Sequence, residues 1–121
     1  MTPSETTPLR IANVSGFYGD KPEAARAMLE GGDVDFLTGD YLAELTMAIL
    51  HKARERRPGT GYASSFLRQM EHVLGPALDR GVRIVVNAGG LNPRGLAEAL
   101  RAQAREAGLA PPRQRPARAA A

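Results

Sequence analysis

The chain has 121 residues, 43% hydrophobic and 24% charged, which fits one domain with a modest core and indicates neither disorder nor a membrane class for its bulk. Having no cysteine, it excludes disulfides, thiolate catalysis, iron–sulfur clusters and cysteine-based zinc, and its two lone histidines leave little for a transition metal, while a metal held through oxygen ligands stays open. The formal net charge of +3 belongs to Arg113, Arg115 and Arg118 near the end, and a body without a basic stripe, with three Phe and three Tyr, excludes a nucleic-acid surface.

Residues 1–8, rich in Thr and Pro, read as a loose leader. They lack the basic and apolar regions of a secretory signal, and no later run reaches the roughly 20 apolar residues that span a bilayer, so the expected location is cytoplasmic with no membrane contact. Leu9 to Val14 reads as a first strand. Asp20, Pro22 and Glu23 form a capping pattern for a helix that stops at Gly31-Gly32. Val34 to Thr38 is a second strand, and Gly39-Asp40 turns into a helix from Tyr41 to about Arg56. Its first three turns are apolar nearly all round, which predicts cover on more than one side.

Pro58 and Gly59 break the chain before an amphipathic helix with Phe66, Met70, Val73, Leu74, Ala77 and Leu78 on one face. Ser64 or Ser65 caps it, Pro76 kinks or divides it, and Gly81 ends it. Val82 to Val86 is the third strand, and Asn92 followed by Pro93 starts a last helix that ends near Gly108. The order β-α-β-α-α-β-α predicts an α/β fold: a Rossmann-like three-layer α/β/α arrangement on a short, three-stranded parallel sheet. Residues 9–109 make the domain, and the aperiodic "APPRQRPARAAA" over 110–121 reads as a disordered tail. Two exposed sheet edges give the domain an apparently truncated look and make a homo-oligomer an expected state.

Parallel strands place every strand-to-helix loop at the same carboxyl edge, where open α/β sheets bind ligands. The loops there are "SGFYGD" (15–20), "TGDY" (38–41) and "NAGGLN" (87–92). Gly89 and Gly90 with the helix start after Asn92 form either a tight, capped turn or a cradle for an anion. Asp40 and Glu44, four apart, either cap a helix and complement its dipole or serve as a catalytic pair, doing acid/base work or holding a hard cation such as Mg²⁺. Glu44 stands among Leu42, Ala43, Leu45, Met47 and Ala48, where an unpaired charge is costly. Ser15, Tyr18 and Asp20 lie in the first loop, but G-x-S-x-G is absent, so a serine hydrolase is not indicated. His51 and His72 read as surface residues.

The stretches "RIANVSGFYGDKPEAARAMLEGGDVDFLTGDYLAELTMAIL" and "GYASSFLRQMEHVLGPALDRGVRIVVNAGGLNPRG" closely resemble the amino-terminal part of the acyclic terpene utilisation protein A family. "SGFYGD", "LTGDYLAELTM" and "NAGGLNP" in this order carry the likeness, over about residues 9–109. The resemblance implies a place in bacterial breakdown of acyclic terpenes such as citronellol and geraniol, which passes through acyl-CoA thioesters, and a small organic acid or acyl-CoA as ligand. It specifies no cofactor. Gly16, Asp20, Gly39, Asp40, Tyr41, Glu44, Asn87, Gly89, Gly90 and Asn92 match motif positions. Family members run several hundred residues, so the Arg/Ala/Pro-rich ending is expected to mark a shortened chain, of the kind a shifted reading frame produces.

Overall fold

The computed structural model describes residues 7–16, 21, 23–110 and 112–115. Strands β1 (Ile11–Asn13), β2 (Phe36–Gly39) and β3 (Arg83–Val86) alternate with helices α1 (Ala24–Glu30), α2 (Glu44–Arg56), α3 (Ser65–Arg80) and α4 (Pro93–Glu106), in the order β1-α1-β2-α2-α3-β3-α4. The sheet is parallel with β2 in the centre. This is the α/β class and element order that the sequence predicts. Strand β1 is shorter than Leu9 to Val14, although main-chain bonds from Asp35 N to Arg10 O and from Val14 N to Thr38 O, 2.8 Å each, continue the pairing at both ends. The leader and tail lie largely outside the described residues, as do Tyr18, Asp20 and Pro22.

One hydrophobic cluster holds the fold together. Ala12, Leu37 and Ile84 are in register across the sheet and meet Ala25 and Leu29 of α1, Phe66, Met70, Val73, Leu74 and Ala77 of α3, and Leu96, Leu100 and Ala104 of α4. Each large side chain buried in this way contributes about 1.5–3 kcal/mol. Helix α3 carries its apolar residues at threes and fours, runs through Pro76 without dividing, and stops where Gly81 takes φ 68°. There its N–H bonds back to Ala77 O and Leu78 O, a left-handed ending that glycine adopts without a Cβ penalty.

The two faces of the sheet are covered unequally. Sequential strand order with right-handed crossovers puts the connecting helices on one side, and α1 packs on α3 while α4 packs on α3 in turn. On the opposite face, Ile11 is 63% and Val85 58% exposed, and the Arg83 guanidinium lies 5.8 Å from the Phe36 ring centroid. Among the described residues this second face of the sheet is largely open. Helix α2 departs from expectation: it starts at Glu44, not Tyr41, and buries Thr46 and Leu50 while leaving Leu45 and Ile49 exposed. Its cover is one-sided. No helix among the described residues is long and apolar enough to cross a membrane.

Candidate functional site

The three strand-to-helix loops meet, as parallel strands require, at the carboxyl edge. Asp40 N–H donates to Ser15 O over 2.8 Å, joining the second loop to the first beside exposed Gly16. Asn87 joins the second loop to the third. Its Oδ1 accepts from Tyr41 N–H at 2.8 Å, and its Nδ2 donates to Asp40 Oδ1 at 2.7 Å. The start of α3 is drawn to the same place, because Ala63 N–H donates to Ala88 O at 2.8 Å.

Asp40 is exposed and does not cap α2, whose N-cap is Ala43 without a side-chain bond. Instead Asp40 Oδ1 accepts from Asn87 and from Leu42 N–H at 3.3 Å. The Asn87 bond first, and the Leu42 N–H second, hold its carboxyl below the ordinary carboxylate value, since both donors favour the charged form. Glu44 is exposed in the first turn of α2, so the cost foreseen for a charge among apolar neighbours does not arise; no bond joins it to Asp40 among the described residues.

Tyr41 points inward. Its side chain is 1% exposed, meets Phe66 edge to face with centroids 5.7 Å apart, and donates from its hydroxyl to Gln69 Oε1. Gln69 Nε2 in turn donates to Lys21 O at 3.3 Å, which ties down the far end of the first loop. Gly39 is needed for this arrangement, because a Cβ there would stand 2.6 Å from Tyr41 Cε2. Sequence reasoning missed Gln69. The signal was a glutamine between Phe66 and Met70, inside the apolar stripe of α3.

The third loop is a capped turn. Gly90 has φ 53°, and a Cβ on it would lie 2.8 Å from Leu50 Cδ1 and 2.9 Å from Gly61 O; one on Gly89 would lie 2.9 Å from Pro93 Cα. Both glycines are thus engaged in backbone packing. Asn92 Oδ1 accepts from Gly95 N–H at 3.0 Å, its Nδ2 donates to Thr60 O at 3.1 Å, and Leu96 N–H reaches Asn92 O at 3.2 Å. Since Pro93 has no N–H, the start of α4 keeps little free donor capacity for an anion.

No group of three or more His, Asp or Glu side chains suited to a metal occurs among the described residues. Two shallow hollows lie elsewhere, one of about 230 Å³ beside Arg94, Ala97, Glu98 and Arg101 and one of about 350 Å³ beside Ala53, Arg56, Arg57 and Thr60. His51 makes a surface pair with Glu55 at 3.2 Å, and His72 is exposed.

The sequence profile of the acyclic terpene utilisation family protein AtuA matches residues 9–113. The chain belongs to this family. All three loops of the acyclic terpene utilisation domain fall within the match, which runs a little past Leu109. No curated protein and no solved structure matches the chain.

Proposed function

We propose that this acyclic terpene utilisation family chain binds a small organic acid or acyl-CoA thioester at the edge where Ser15, Asp40 and Asn87 meet, in cytoplasmic terpene and acid catabolism. The supporting observation is Asp40 itself, an exposed carboxylate held in its charged form by an asparagine from another loop. Asp40 is thereby free of its own proton and placed to accept one from the carbon next to a thioester carbonyl, although the Asn87 bond that fixes it also makes it a weaker base. Glu44, four residues on, supplies the second carboxylate of this reading, and Gly16 lies within the binding edge. The test is exchange of that carbon-bound proton for deuterium, followed by NMR across a panel of branched acyl-CoAs in D₂O. Wild-type chain should catalyse exchange, and Asp40→Asn should bind the same thioester without exchanging it. Equal exchange by both would remove Asp40 from the chemistry.

A non-catalytic assembly role is favoured by a different observation, the exposure of Ile11 and Val85 on the open sheet face between two edges that are unpaired among the described residues. A stable dimer by sedimentation, with no response to any acid or thioester, would support that role instead.

A further inference from the structure

Side chains of a strand alternate between the two faces of its sheet, and the burial along β2 and β3 keeps that alternation past both strand ends. Leu37 and Tyr41 are buried where Asp40 is exposed, and Ala88 is buried where Val85 and Asn87 are exposed. Asp40 and Asn87 therefore continue two rows of the open face, one running Phe36, Thr38, Asp40 and the other Arg83, Val85, Asn87. The bond from Asn87 Nδ2 to Asp40 Oδ1 joins the ends of these rows. The carboxylate of the candidate site thus belongs to the bare side of the sheet and not to the side that packs on the helices.

Strand β1 brings Ile11 and Asn13 to the same face, in register with Phe36 and Thr38. Asn13 is exposed, and its Oδ1 accepts from the Thr38 hydroxyl at 3.4 Å. That bond engages the oxygen of the amide and leaves Nδ2 as its donor, which meets no acceptor among the described residues. Asp40 lies one strand over and two residues on from Asn13, a diagonal of roughly 8 Å between backbones. A base and a neutral donor therefore flank one patch of the face. Beyond the patch the face turns apolar, with Ile11 63% and Val85 58% exposed and Phe36 half-buried on the central strand.

We propose that the open face is the acyl-binding surface of the site: the Asn13 amide holds a thioester carbonyl, and Ile11, Phe36 and Val85 carry an apolar acyl chain. The inference rests on the reading of Asp40 as a base acting on such a thioester. In that step the C–H proton passes to the Asp40 carboxylate, the C–H electron pair becomes the carbon–carbon double bond of an enolate, and the carbonyl oxygen takes the negative charge. A donor at that oxygen lowers the barrier because it bonds more strongly as the charge develops. Once the carboxyl proton has exchanged with D₂O, a deuteron returns to carbon and the thioester is restored. Thr38 acts through Asn13 and is a positioning residue. A free carboxylate beside Asp40 meets a like charge, so the neutral thioester is the form this patch accepts.

The experiment titrates ¹⁵N-labelled chain with octanoyl-CoA and, separately, acetyl-CoA, and follows deuterium exchange of both. Octanoyl-CoA should shift the Asn13 side-chain amide and the Val85 backbone amide saturably, and exchange with a kcat/KM about tenfold above that of acetyl-CoA. Asn13→Ala should lower kcat about a hundredfold with little change in KM, and Val85→Lys should raise KM for octanoyl-CoA and erase the preference. The shifts are read on wild type and hold whether or not either variant folds. Unmoved Asn13 and Val85 signals, wild-type kcat in Asn13→Ala, or equal kcat/KM for the two thioesters would each overturn the surface; exchange that Asp40→Asn still abolishes would then spare the function. Shifts at Asn13 and Val85 without any exchange by wild type would do the reverse, keeping the surface and removing Asp40 as its base. A sedimenting mass that rises with concentration in wild type but not in Val85→Lys would give the face to a second copy and overturn the surface as well.

Discussion

Asn87 donates from Nδ2 to the Asp40 carboxylate across 2.7 Å, a bond between residues 47 positions apart in the chain. Because the bond favours the ionised carboxyl, Asp40 titrates below its ordinary value in the folded chain. The stabilisation this brings is fully present above the ordinary carboxylate value and is lost as pH falls through the lowered folded one. In Asn87→Ala the Asp40 midpoint should therefore move up toward the ordinary value, as followed by the side-chain carboxyl carbon in an NMR pH titration. Coincident midpoints would show that Asn87 does not govern the charge.

Gly39 and Tyr41 are bound by space. A Cβ at Gly39, 2.6 Å from Tyr41 Cε2, forces the ring off its contact with Phe66, and overpacking of this kind costs about 1–3 kcal/mol. Gly39→Ala should melt well below wild type. Gly90→Ala should do so too, through its φ of 53° and its approach to Gly61 O. A wild-type melting temperature for Gly39→Ala would mean that the Tyr41 ring does not pack against this glycine in solution.

What could be read from the sequence was whatever repeats locally. The stripe Phe66, Met70, Val73, Ala77 announces α3 by its period, Gly81 announces its end, and Asn92-Pro93 announces α4, because each signal spans a few residues. Roles that depend on distant partners could not be read. Asp40 reads from the sequence either as a cap or as one of a catalytic pair, and only the fold brings it Asn87, 47 positions away; Tyr41 reads as a helix start at the ligand edge, and only the fold brings its hydroxyl to Gln69, 28 positions away.

The Tyr41 and Gln69 side chains share one buried bond, so their losses should not add. Tyr41→Phe takes the Tyr41 donor from Gln69 Oε1, and Gln69→Leu takes an acceptor from the Tyr41 hydroxyl and a donor from Lys21 O; each should cost about 1–3 kcal/mol. The double variant removes both ends of the Tyr41–Gln69 bond and should be less damaged than the sum of the two, with a coupling of about 0.5–3 kcal/mol in denaturant titrations. Simple additivity would show that the bond contributes nothing.

Neighbouring residues of β3 test the layering. Ile84 is packed against the core, whereas Val85, on the other face, is 58% exposed, and side chains in a strand alternate sides. Ile84→Lys places a charge in the core layer and should cost about 3 kcal/mol or more. Val85→Lys meets solvent and should leave the chain within about 0.5 kcal/mol of wild type, as read from urea midpoints. If a second copy covers the open face in solution, the outcome changes in kind: Val85→Lys would lower the sedimenting mass, and wild-type stability, unlike that of the variant, would rise with protein concentration. One substitution on one strand thus separates a face that is bare from a face that is shared.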